Sequence, residues 1–159
     1  AMERREADLC LYAGGEGKNF EWLPLCEDQM LALVPPGHPL AEGAFVPLES
    51  FLAEPFIMPM QGYDGEVHDI LSNLPQQPHI LFSACSDYAI ISMVAKGLGV
   101  SILADLLLRN YPNDAVALPI QPPQFRMLGM GVPQVKTASP MTRNFMRYVQ
   151  AYVEQMKKS

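Results

Sequence analysis

The sequence predicts an α/β protein of two hinged lobes, and three observations carry that prediction. A strand–helix–strand unit occupies the middle of the chain, other strands run into glycine-rich or polar loops, and two proline-rich passages divide the whole. Nearly half of the 159 residues are apolar (49%), enough to bury a core in one domain or two small ones.

The central unit is centred on Ser86 to Asp105, SDYAIISMVAKGLGVSILAD. Ser86 and Asp87 carry short oxygen side chains suited to a helix start, and Ile90, Ile91, Val94 and Ala95 recur at helical spacing. Lys96 falls in the last turn, and Gly97 can take the left-handed conformation that stops a helix. Val100 to Leu103 and the earlier His79 to Ser83 are β-rich and too short for helices. Parallel strands joined by such a helix bind ligands beyond their carboxyl ends, here Ser83, Ala84, Cys85, Ser86 and Asp87, where the first amides of the helix could hold an anion. The plainer alternative is that Ser86 and Asp87 only cap the helix.

Along the chain, residues 7–13 form an apolar strand that fits the inside of a parallel sheet, broken by Gly14, Gly15 and Gly17 into a loop at its carboxyl end. Trp22 to Leu25 and Met30 to Val34, around a turn-like Glu27 and Asp28, suggest a β-hairpin. Residues 35–43, beginning PPGHP, interrupt the sheet and suggest a hinge. A helical turn at Leu48 to Leu52, a strand at Phe56 to Met58 and a polar loop at Gln61, Gly62 and Tyr63 follow. Asp64 then opens a helix with Val67, Ile70, Leu71 and Leu74 on one face.

Leu106 to Arg109 suggest a further helical turn and Ala115 to Ile120 an extended run. Pro119, Pro122 and Pro123 mark a second passage between lobes, and Phe125 to Val132 a last strand, weakened at its far end by Gly129 and Gly131. Ser139 and Pro140 start a long helix in which Met141, Phe145, Tyr148, Val149, Tyr152, Val153 and Met156 share an apolar face. The boundaries expected are 1–40 for part of lobe one, 45–118 for lobe two and 119–159 for the return to lobe one.

Composition narrows the function. A net charge of −6 opposes binding to nucleic acid by this chain itself. No apolar stretch approaches the roughly 20 residues a membrane helix needs. Three cysteines, Cys10, Cys26 and Cys85, fit neither a zinc spacing nor a disulfide framework and suit a reducing cytoplasm. No nucleophile elbow or Walker loop is present, and Gly97 and Gly99 precede a strand instead of opening a helix, so they are not a dinucleotide fingerprint. The histidines, His38, His68 and His79, are scattered, which favours structural or solvated roles over metal binding. Cys85, beside a helix start, could be a reactive thiol or plain packing. No enzyme, metal or cofactor is expected.

The runs LALVPPGHPLA, EPFIMP, MVAKGLGVSILAD, VALPI and ASPMTRNFMRYV, in this order, resemble the effector-binding domain of LysR-type transcriptional regulators. That resemblance implies a type 2 periplasmic-binding-protein-like fold, two Rossmann-like lobes joined by two crossover segments, with the first lobe incomplete at its N-terminal side. It implies a cleft lined by Ala13, Gly14, Gly15, Gln61, Gly62, Tyr63, Ser83, Ala84, Cys85, Ser86, Asp87, Ala104 and Asp105. The implied partner is a small polar or anionic effector such as an organic acid. DNA would be bound only through a helix-turn-helix domain outside this chain, and the regulator would be a homo-oligomer. A solute-binding protein for uptake is the alternative on the same fold. With lobe one incomplete, association of the chain is expected through the open edge of residues 7–13 or through an exposed Val67–Leu74 helix.

Overall fold

The computed structural model describes residues 7–15, 20–60, 64–109 and 114–156. Two compact units divide it: residues 1–28 with 126–159 form unit 1, and residues 29–125 form unit 2. The chain passes between them inside two long strands, β2 (Glu21–Val34) and β7 (Val116–Val132). The unit boundaries therefore fall at Asp28 and Arg126, within strands, and not in the proline-rich segments.

In unit 1, β1 (Cys10–Ala13) pairs antiparallel with β7, from Cys10 opposite Gly131 to Ala13 opposite Leu128, and β7 has β2 on its other side. The pairing corrects the expected parallel setting of this strand. Its outer edge has no partner among the described residues. One face of these strands carries the core of Met130 and Val132 with Leu23 and Leu25, closed by Met146 and Val149 of α4 (Pro140–Met156). Ser139 caps α4, its hydroxyl accepting from the amide of Thr142 at 3.1 Å, as the Ser-Pro start predicts.

The hairpin expected around Glu27 and Asp28 does not form. β2 is one strand of 14 residues because Asp28 is an inward-facing side chain, buried to 3% exposure against Arg126. Likewise β7 continues through Pro119, Pro122 and Pro123 as a single strand, with β3 (Val46–Pro47) parallel to it at Ile120 and Gln121.

In unit 2 the 35–43 segment is local structure. His38 accepts from the amide of Leu40 at Nδ1 and faces Glu54 with Nε2 at 3.3 Å, which fixes a 3-10 turn at Pro39–Glu42. A second 3-10 stretch, Leu48–Ala53, precedes β4 (Phe56–Pro59). Then follow α1 (Asp64–Leu71), β5 (Ile80–Ala84), α2 (Asp87–Ala95), β6 (Ser101–Ala104) and α3 (Asp105–Leu108). β5 and β6 do not pair with each other. β4 lies between, parallel to β5 and bridged in parallel at Phe56 to Val100, while β6 pairs antiparallel with residues 30–33 of β2.

The two helices pack on opposite faces. Val67, Ile70 and Leu71 of α1 join Phe56 and Ile102, whereas Ile90, Ile91 and Val94 of α2 join Ile57 and Leu103. Val67 and Leu71 are at most 1% exposed, which corrects the expectation that this helix presents a sticky face.

The VAKGLGVSIL run is explained by this packing. Gly97, at φ +77°, ends α2 in a Schellman motif: its amide donates to the carbonyl of Val94, and that of Leu98 to the carbonyl of Met93. A Cβ on Gly99 would stand 2.4 Å from the carbonyl oxygen of Pro55, so only glycine lets β6 approach β4. The amide of Val100 then donates to the Pro55 carbonyl and that of Ile57 to the Val100 carbonyl, both at 2.9 Å, and the buried Ser101 hydroxyl donates to the Ile57 carbonyl at 2.8 Å.

Candidate functional site

Because β4, β5 and β6 run parallel, their carboxyl ends lie at one edge of unit 2. Ser83 and Ala84 end β5 beside Met58 and Pro59, and the amide of Met60 donates to the Ala84 carbonyl at 2.8 Å, so the loop leaving β4 starts alongside the one leaving β5. Ser83, Cys85 and Ser86 are exposed there, and Asp87 is half-buried. Since α1 and α2 follow neighbouring strands and pack on opposite faces, these strand ends are a topological switch point, where open parallel sheets take their ligands.

Ser86 occupies the N-cap position of α2, and its carbonyl accepts from Ile90 at 3.0 Å, but its side chain makes no capping hydrogen bond. The capping alternative for the Ser86 hydroxyl is therefore not what the structure shows. The start of α2 lies at the strand-end edge, a position that suits a carboxylate or phosphate.

The other expected residues divide. Asp105 begins α3 at the end of β6, and Arg109 holds its carboxylate, Nε to Oδ2 at 2.9 Å. Ala104 is buried at 1% in the core with Ile102, so it offers a ligand backbone only. Gln61, Gly62 and Tyr63 lie outside the described residues. Ala13, Gly14 and Gly15 belong to unit 1, where the amide of Gly14 extends the ladder to Met127 at 3.0 Å and the Tyr12 hydroxyl donates to the Gly15 carbonyl at 2.7 Å. Burial, and after it the neighbouring Cys10, raise the Tyr12 phenol above its ordinary pKa. Among the described residues no group of three or more His, Cys, Asp or Glu side chains could hold a metal ion.

Two relationships were not visible in the sequence. Asp28 and Arg126 stand 98 residues apart and carry no local signal of pairing. The Trp22 indole lies against Gly129, where an added Cβ would stand 2.4 Å from the ring. A glycine inside a strand pattern is the signal that could have found the second.

Unit 2 thus has the layout of a small-molecule-binding α/β domain. The model of the LysR substrate binding domain family matches residues 1–154, and the chain belongs to that family. It is 28% identical over 151 residues to the uncharacterized HTH-type transcriptional regulator YybE of Bacillus subtilis (strain 168), covering 93% of this chain and 52% of that protein. The chain therefore spans about half the length of the curated relatives it matches.

Among solved structures, the Synechocystis PCC6803 CcmR regulatory domain in complex with 2-PG superposes with a TM-score of 0.86 at 22% identity, covering 98% of this chain and 77% of that one. The effector binding domain of QuiR in complex with shikimate gives 0.83 at 21% identity, covering 97% and 75%. The fold is that of LysR regulatory domains, type 2 periplasmic-binding-protein-like. No helix of the described residues is long and apolar enough to cross a membrane.

Proposed function

We propose that this chain is the effector-sensing domain of a LysR-type transcription regulator, binding a small polar or anionic molecule without transforming it. Units 1 and 2 would be its two lobes, and Ser83 to Asp87 with Asp105 of unit 2 would contact the ligand. The observation that carries this reading is the gathering of Ser83, Cys85, Ser86 and Asp87 with the start of α2 at the carboxyl ends of parallel strands. The neighbours seen with 2-PG and with shikimate support an acidic ligand.

The relatives' description as HTH-type regulators favours gene regulation over solute uptake. In this reading the regulator works in the cytoplasm as a homo-oligomer, DNA is held by a separate helix-turn-helix domain, and no cofactor takes part. A thermal-shift screen of small organic acids, with 2-PG and shikimate among them, tests it. Binding at about 100 times Kd adds about 2.7 kcal/mol to stability and raises the melting temperature by several degrees. No shift with any acid would contradict the proposal.

A further inference from the structure

His38 is held at both ring nitrogens. Its Nδ1 accepts from the amide of Leu40 at 3.2 Å, and its Nε2 stands 3.3 Å from Oε2 of Glu54. A ring nitrogen that accepts an amide has its lone pair in use and carries no proton, so the ring proton sits on Nε2 and is donated to the Glu54 carboxylate. The ring is neutral in this arrangement, and its tautomer is fixed by its two partners.

Each contact secures a different segment. Pro39 has no amide, so the amide of Leu40 is the first that the turn Pro39–Glu42 has to satisfy, and the His38 side chain satisfies it. The turn lays Leu40 and Ala41 on the main core of unit 2. Glu54 lies on the other side, between the Leu48–Ala53 stretch and β4, next to Pro55, whose carbonyl receives the amide of Val100. Among the described residues Glu54 is the charged group that faces the ring. The other charged side chains of the turn and the stretch, Glu42 and Glu49, are exposed acids, and residues 35–59 contain no lysine or arginine.

We infer that His38 is a proton-operated clasp: neutral, it joins the turn at Leu40 to Glu54, and charged, it keeps Glu54 and releases the turn. A second proton has only Nδ1 to bind, the atom that holds the Leu40 amide, and two N–H groups cannot face each other across a hydrogen bond. The cap and the charge are mutually exclusive. Charging the ring also makes its contact with Glu54 a charge-assisted one, so the ring stays at Glu54 while residues 39–42 come free. A 3-10 turn of four residues is short and poorly bonded, which leaves little else to hold it once the cap is gone. The inference rests on no feature of the strand-end site, which lies at the opposite, carboxyl end of β4.

NMR on the 159-residue chain tests it, with long-range proton–nitrogen spectra reporting the tautomer and charge of each histidine ring and amide hydrogen exchange reporting the turn. At about pH 8 His38 should be the Nε2–H tautomer, with the Leu40 amide protected. Toward about pH 5 that protection should fall on the order of tenfold, in step with the ring signals of His38 and not with those of His68 or His79, while β4 stays protected. His38→Asn places a side-chain oxygen that does not titrate where Nδ1 was, and should keep Leu40 protected at both pH values. His38→Ala should leave it unprotected at both. A proton on Nδ1 at the higher pH would overturn the inference, as would a Leu40 amide indifferent to the charging of the ring. So would a ring that stays neutral until the chain unfolds, or the same pH-dependent loss in His38→Asn.

Discussion

Arg126 donates to a single carboxylate oxygen of Asp28 twice, from Nε at 2.9 Å and from Nη2 at 2.8 Å, and both side chains are buried, at 8% and 3% exposure. Asp28 is the last residue of unit 1 in β2 and Arg126 the first to return to it in β7. The pair thus ties together the two strands at the point where the chain changes units.

A buried ion pair contributes little over an apolar replacement, but removing one partner strands the other charge. Asp28→Leu alone or Arg126→Met alone should lower stability by about 3–5 kcal/mol. The double variant should recover most of that loss. Trp22, the chain's single tryptophan, lies in the same unit, so its fluorescence during urea unfolding follows the change. A double variant as unstable as the worse single one would show that the pair does more than satisfy its own charges.

Gly97 and Gly99 should respond differently to alanine. Gly97 has open space around its would-be Cβ and only its left-handed backbone to defend, so Gly97→Ala should destabilise by about 1–2 kcal/mol. Gly99→Ala drives a methyl group into the Pro55 carbonyl and must separate β4 from β6, a loss of about 3 kcal/mol. Urea midpoints read by circular dichroism distinguish the two, since Trp22 does not report on unit 2. Equal losses would contradict this division of roles.

Gly129→Ala should displace Trp22 from β7. The expected cost is about 1–3 kcal/mol, with a red-shifted tryptophan emission as the indole moves toward water. Emission unchanged from the parent chain would mean that the strand, not the ring, yields.

Much of unit 2 is legible from local pattern. The spacing of Ile90, Ile91 and Val94, the stop at Gly97 and the stripe Val67, Ile70, Leu71 each lead to the right element, because helix periodicity and glycine conformations are set within a few residues. The failures involve distant partners. Asp28 resembles a turn residue until Arg126 is beside it, and three prolines in β7 resemble a break although the strand runs on through them.

On α4, periodicity gives one apolar face, whereas the strands of unit 1 cover Met146 and Val149 and leave Phe145, Tyr148 and Tyr152 exposed. That depends on the orientation set by Met130, Leu23 and Leu25. For the candidate site, the Ser83–Asp87 edge was legible because strand ends and helix starts are local. The inward direction of Ala104 was not, since it follows from the pairing of β6 with β2.

The proposed ligand site is the carboxyl ends of the parallel strands of unit 2. An amide-resolved NMR titration with the organic acid that most raises the melting temperature examines it directly. Shifts concentrated at Ser83 to Asp87 and Asp105 are the predicted result. Shifts confined to α4 or to the outer edge of β5, with the strand ends unmoved, would contradict it.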